Sequence, residues 1–178
     1  MEYYTDLVTK MDGLYAVIPL TNFRNTPGVK FDFVPKELVS RINSIDRVIH
    51  ANAAISPGPV KDVERPWYMH PHQDDNLIVM HGKRHVELYT PGHGRIESFV
   101  VTPETIEHDG EVLYQGGAML VWPRNVFHRI QSGEGGSASM NFAVHYEGFS
   151  IQTNFNIYGL DVSTGKFEVV RYGHEDQK

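Results

Sequence analysis

Short apolar and β-branched runs, broken by Gly, Pro and Asp, occupy most of the chain from about residue 66 onward. Residues 76–81 form an apolar run stopped by Gly82, and residues 85–89 form another, with Lys83-Arg84 read as the turn between them. Residues 98–101, 111–114, 119–122, 126–130, 138–145, 151–158 and 167–171 complete the set. Short strands at this spacing predict an all-β sandwich or barrel. The period-2 alternation is uneven, so strand positions are legible but register is not. Upstream, residues 14–18 predict a strand ended by Pro19, and residues 46–51 predict a second. Between them, residues 35–42 carry proline in front and Leu38, Val39 and Ile42 at helical spacing, which predicts a short N-terminal helix. Residues 56–60 and 90–94 read as loops, and the polar tail 173–178 as a frayed end. There is no internal repeat, low-complexity segment or linker, so one domain is expected over residues 1–178.

Composition narrows the function classes. The chain has 178 residues, 40% of them hydrophobic and 21% charged, an ordinary globular balance. A formal net charge of -6 without a Lys/Arg cluster argues against nucleic acid as a partner, since phosphate neutralisation needs a basic surface. The absence of cysteine removes disulfides, zinc-thiolate sites and thiol chemistry. No secretory signal is visible, and the longest apolar runs are too short to span a bilayer, so the expectation is a cytoplasmic protein without a membrane partner.

The candidate chemistry lies in His70-Pro71-His72-Gln73-Asp74-Asp75 and in His128, which follows Gly116-Gly117 and Pro123. Neutral imidazoles with a carboxylate suit a borderline divalent transition metal where no thiolate is offered. On an extended strand His70 and His72 project to one face, and Asp74 keeps that phase; Asp75 replaces it if the chain bends. His128 is the best-placed distant imidazole.

These residues resemble the two motifs of the cupins. The second motif, G-x5-P-x-G-x2-H-x3-N, is matched by Gly117, Pro123 and His128, with Asn125 in place of the second Gly and Ser132 in place of the final Asn. Asn is the residue after Gly that best tolerates a left-handed backbone. The first motif, G-x5-H-x-H-x(3 or 4)-E-x6-G, is matched more loosely. His70 and His72 supply the paired imidazoles, Glu64 stands at the opening Gly, and counting back from Gly82 favours Asp75 over Asp74 as the acid. The matched motifs span about residues 64–132. The resemblance implies a double-stranded β-helix, or jelly-roll, barrel with His70, His72, Asp75 and His128 as metal ligands in its mouth. It also implies a divalent metal (iron, manganese, nickel, zinc or copper in the family) and a small-molecule ligand.

Two function classes follow. The ligand set suits non-haem iron, so a metal-dependent oxygenase is the first expectation. A sugar isomerase or epimerase, with or without metal, and a non-catalytic small-ligand-binding barrel are the alternatives. His81, His85 and His145 are the candidate general bases. His50, His93, His108 and His174 read as surface or loop residues. Arg84, Arg124 and Arg129 read as solvated, with one of them able to pair with a substrate carboxylate if it faced inward. Family barrels often pair through N-terminal strands, so a homodimer is expected, with Tyr3, Tyr4, Tyr15 and Phe23 either at the interface or, equally, buried against the protein's own barrel.

Overall fold

The computed structural model describes residues 7–39 and 41–177. Two long antiparallel strands, Gln73–Tyr89 and Phe127–His145, form its spine. They pair from Phe127 opposite Tyr89 to His145 opposite Gln73. The sequence pattern predicts each of these as two shorter strands, and Gly82 explains the difference. Its φ of +72° is open to glycine, and a Cβ there would run into the carbonyl oxygen of Gly136 on the partner strand. The register shifts between Ser132 and Ser137, so the pair bulges and bends at this point without ending. Lys83-Arg84 is therefore not a turn. It lies within the strand, and Arg84, Val86 and Leu88 alternate inward while Lys83 and His85 are exposed.

The remaining strands wrap around this spine. Tyr15–Pro19 pairs with Ala118–Trp122, which pairs with the start of the first long strand, placing Trp122 opposite Asp75. Ser44–His50 covers the far part of the second long strand, and Glu97–Val101 the far part of the first. Trp67–Met69 pairs with Phe127 and His128 and passes the sheet on to Ile157–Asp161. This antiparallel, nearly all-β arrangement is a jelly-roll barrel of the kind the sequence implies. The main core lies between the layers and includes Val17, Leu77, Val86, Leu88, Phe99 and Leu120. Burying such a side chain contributes roughly 1.5–3 kcal/mol, against roughly 0–1 kcal/mol for an exposed ion pair, so apolar packing holds the roll together.

Two further sequence expectations need correction. The N-terminal helix is only a 3-10 turn, Lys36–Leu38. Val39 is buried but Leu38 and Ile42 are largely exposed, so no apolar stripe is present to stabilise a longer helix. Residues 151–158 are not one strand: the helical turn Ile151–Asn154 precedes the strand Ile157–Asp161. Tyr15 is buried against Phe99, with ring centroids 4.8 Å apart, and belongs to the barrel core. Of the other proposed interface aromatics, Phe23 is exposed, while Tyr3 and Tyr4 lie outside the described residues. No helix among the described residues is long and apolar enough to cross a membrane.

Glu97 is a fully buried carboxylate on the Glu97–Val101 strand. Burial opposes its ionised form, but hydrogen bonds from Arg95, His93 and His108 outweigh it and hold the carboxyl at about 2. His93 and His108, read from sequence as surface or loop residues, bond it at 2.5 and 2.6 Å.

Two outcomes are expected. Gly82→Ala forces a positive φ and a backbone clash and should lower stability by roughly 2–5 kcal/mol in urea unfolding. A change below about 0.5 kcal/mol would contradict the bulge's role. Because the Glu97 carboxyl is depressed from 4.5 to about 2, its stabilising contribution is complete above about pH 4.5 and disappears as pH falls toward 2. Glu97→Gln should therefore flatten the acid limb of a stability-against-pH curve; an unchanged slope would count against the clasp.

Candidate metal centre

The chain does not stay extended after His70: Pro71 and His72 form a turn, and the strand begins at Gln73. The rule that places residues i and i+2 on one face therefore fails here. The structure brings His70, Asp75 and His128 together and leaves His72 out. One imidazole nitrogen from each histidine and one Asp75 oxygen lie within 4.8 Å of one another, and all three residues are buried. His72 instead packs its ring beside Gly148, where an added Cβ would lie 2.9 Å from the ring. Asp74 also points away, accepting hydrogen bonds from the Arg124 backbone N–H at 2.7 Å and the Tyr146 hydroxyl at 2.6 Å. The choice of Asp75 by counting from Gly82 agrees with this geometry.

Each of the three side chains is oriented by neighbours. His70 Nδ1 lies 2.7 Å from the carbonyl oxygen of Asn154. A carbonyl can only accept, so Nδ1 carries a hydrogen and Nε2 is the nitrogen turned toward Asp75. His128 Nδ1 is 3.2 Å from the Val126 carbonyl, which likewise puts a hydrogen on that nitrogen. Asp75 Oδ1 accepts two amide hydrogen bonds at 2.7 Å, from Gln73 and Asn141. Its Oδ2 is buried and has no hydrogen-bond partner, and lies 3.5 Å from His70 Nε2. Burial, reinforced by His70, pushes the His128 imidazole well below its ordinary 6.5, with the Val126 hydrogen bond opposing; the ring is neutral. The turn that carries His128 is also anchored. Asn125 has φ +66°, the left-handed conformation its place in the motif requires, and its N–H donates to the His70 carbonyl at 2.8 Å.

Thus two imidazole nitrogens and one carboxylate oxygen face one buried point. That is the donor set of a divalent transition metal: a bond length of about 2.0–2.2 Å puts neighbouring donor atoms roughly 3–3.5 Å apart. Hydrogen bonds to the outer imidazole nitrogens are also usual for metal-bound histidines. The residues present therefore fit the expected metal through two imidazoles and one carboxylate, with His72 removed from the set. A second cluster of Glu97, His108 and Asp109 has its buried carboxylate already engaged by Arg95 and two imidazoles.

The cluster opens into a cavity of about 270 Å³. Its apolar wall includes Leu77, Trp122, Ile130 and Phe155. Tyr68 sits beside both histidines, with ring centroids 6.1 Å from His70 and 6.0 Å from His128. Burial raises the Tyr68 hydroxyl above 10, so it stays protonated. Two residues expected at the surface line the same cavity: His50 and Arg84. Burial and the nearby Arg84 charge lower His50 to about 4, so its ring is neutral. His81 and His85 are exposed, and His145 stacks on Phe149 with centroids 3.6 Å apart; none of these candidate bases lines the cavity. Arg129 does not stand free in solvent, since it pairs with Glu87 and lies over Trp67. Gln73, Asn141 and Asn154 have no sequence signal, because nothing local marks an amide that supports a distant carboxylate or histidine.

No family model matches the chain, and no curated protein matches it. Solved structures do. A 3,4-ketoisomerase from Helicobacter canadensis is similar with a TM-score of 0.54 at 16% identity, over 77% of this chain and 86% of that one. A dTDP-4-dehydrorhamnose 3,5-epimerase from Elizabethkingia anophelis NUHP1 gives 0.57 at 10% identity, over 81% and 76%. A sugar 3,4-ketoisomerase from Thermoanaerobacterium thermosaccharolyticum, solved in complex with TDP, gives 0.51 at 12% identity, over 76% and 84%. At these identities the likeness is one of fold, and it agrees with the cupin resemblance of the motifs: the chain has the β-barrel fold on which these sugar isomerases and epimerases are built.

Proposed function

We propose that this protein is an isomerase or epimerase of a small, sugar-like carbonyl compound, with a divalent transition metal held by His70, Asp75 and His128. One observation carries the reading: two imidazole nitrogens and the unpartnered Asp75 Oδ2 face a single buried point at the wall of a small-molecule cavity. Iron, manganese, nickel and zinc all accept such a nitrogen and oxygen set. A bound ion of this kind supplies Lewis acidity, polarising a carbonyl and acidifying the adjacent C–H.

The chain's own residues supply the rest. Gln73 and Asn141 aim the carboxylate, and the carbonyls of Asn154 and Val126 aim the imidazoles. Trp122, Leu77, Ile130 and Phe155 keep the cavity apolar around a substrate. His50 is the imidazole outside the cluster that lines this space, and as a neutral ring it has a nitrogen lone pair for proton exchange beside the carbonyl. The similar solved structures are ketoisomerases and epimerases, which favours this alternative over the oxygenase expected first from the ligand set.

Metal uptake and solvent exchange test the reading together. After loading with Mn²⁺, Fe²⁺, Ni²⁺ or Zn²⁺ and desalting, wild type and His72→Ala should retain about one ion per chain, while His128→Ala and Asp75→Asn should retain little. In D₂O, NMR of a panel of ketoses and 4-keto-6-deoxy sugar nucleotides should show deuterium entering the carbon beside the carbonyl. The rate should fall about a hundredfold or more in His128→Ala. Metal retained in His128→Ala but lost in His72→Ala would refute the assignment, and substrate-dependent O₂ consumption without exchange would restore the oxygenase.

A further inference from the structure

Among the described residues, two charged side chains outside the metal cluster are almost wholly removed from solvent, and they differ in one respect. Glu97 is surrounded by Arg95, His93 and His108. Arg84 has no carboxylate within ion-pair distance among the described residues. It is 1% exposed and occupies an inward position of the Gln73–Tyr89 strand, in phase with Val86 and Leu88. Its Nε donates to the Ser137 hydroxyl at 3.1 Å and its Nη2 to the Val48 carbonyl at 3.0 Å, and both acceptors are neutral. A guanidinium has five N–H donors, so three remain. Burial alone lowers this group to about 10, still charged at neutral pH.

An uncompensated buried cation is costly, and such a group is retained where an anion completes it. Arg84 lines the same cavity as His70, Asp75 and His128. Beside it, His50 Nδ1 is buried without a hydrogen-bond partner, and the neutral ring can offer an N–H or a lone pair to a bound molecule.

We propose that Arg84 is the anion anchor of the cavity, binding the carboxylate of a small monoanionic oxo or hydroxy acid whose carbonyl or hydroxyl group reaches the His70–Asp75–His128 cluster. This rests on the function proposed above and names its substrate class. Charge selects a monocarboxylate: one guanidinium meets one negative charge, while Asp46 and Asp75 in the same walls disfavour a phosphate dianion. Size points the same way. A cavity of about 270 Å³ suits a small acid.

Calorimetric titration of metal-free and Mn²⁺-loaded protein with pyruvate, glycerate, gluconate and inorganic phosphate, at matched ionic strength, tests this. At least one carboxylate should bind, at least tenfold tighter than phosphate. Arg84→Met should weaken that binding at least tenfold, and Arg84→Lys, which keeps the charge but loses the planar fork, should fall between. Both variants should take up Mn²⁺ as wild type does. If Mn²⁺ uptake fails in the wild type while carboxylate still binds through Arg84, the metal-dependent function falls and the anchor stands. The anchor is overturned if phosphate binds tighter than every carboxylate, if no carboxylate binds, or if folded Arg84→Met or Arg84→Lys binds as tightly as wild type. The wild-type preference for carboxylate over phosphate decides the matter if neither variant folds.

Discussion

Asp75 engages one oxygen with the amides of Gln73 and Asn141 and leaves the other turned toward the free nitrogens of His70 and His128. Hydrogen bonds from the two rings to the Asn154 and Val126 carbonyls hold the other nitrogen of each ring toward that oxygen. Each partner thus fixes the direction of the side chain it holds. A buried carboxylate oxygen without a donor is costly, and it is tolerable when a cation completes it. The barrel serves this constraint. The bend at Gly82 and the paired long strands bring His128, far along the chain, up to His70 and Asp75.

From that point the cavity has a direction. One end offers lone pairs to a positive centre, and Arg84 and His50 offer positive charge and an unpartnered imidazole nitrogen in the same walls. Apolar residues fill much of the remaining lining. A small molecule with a carbonyl and an acidic group matches both kinds of polar contact, and isomerisation beside a carbonyl asks for the Lewis acid and proton acceptor that this arrangement would provide.

The fold class and part of the site were legible in the sequence because they rest on local signals. Gly117, Pro123, Asn125 and His128 keep a fixed spacing, and Asn125 does adopt the left-handed backbone its motif position demands. Gly82 gave a second anchor and separated Asp75 from Asp74. The failures came where a local rule met a tertiary exception. Extended backbone would place His72 beside His70, but Pro71-His72 is a turn. Arg84 reads as solvated because arginine is rarely buried unpaired, and because Gly82 reads as a strand end when it is a bulge. His50 carries no mark of the cavity that other strands build around it. Asn154 acts through its backbone carbonyl, a group every residue has, so its sequence identity could not reveal that role.

Anomalous diffraction from crystals of the Co²⁺-loaded protein, recorded at the cobalt edge, tests the central claim most directly. The account expects one strong peak bonded to His70 Nε2, His128 Nε2 and Asp75 Oδ2 at about 2.0–2.2 Å, with His72 outside coordination reach. A peak held by His72, or by the Glu97 and His108 cluster with none between His70 and His128, would contradict it.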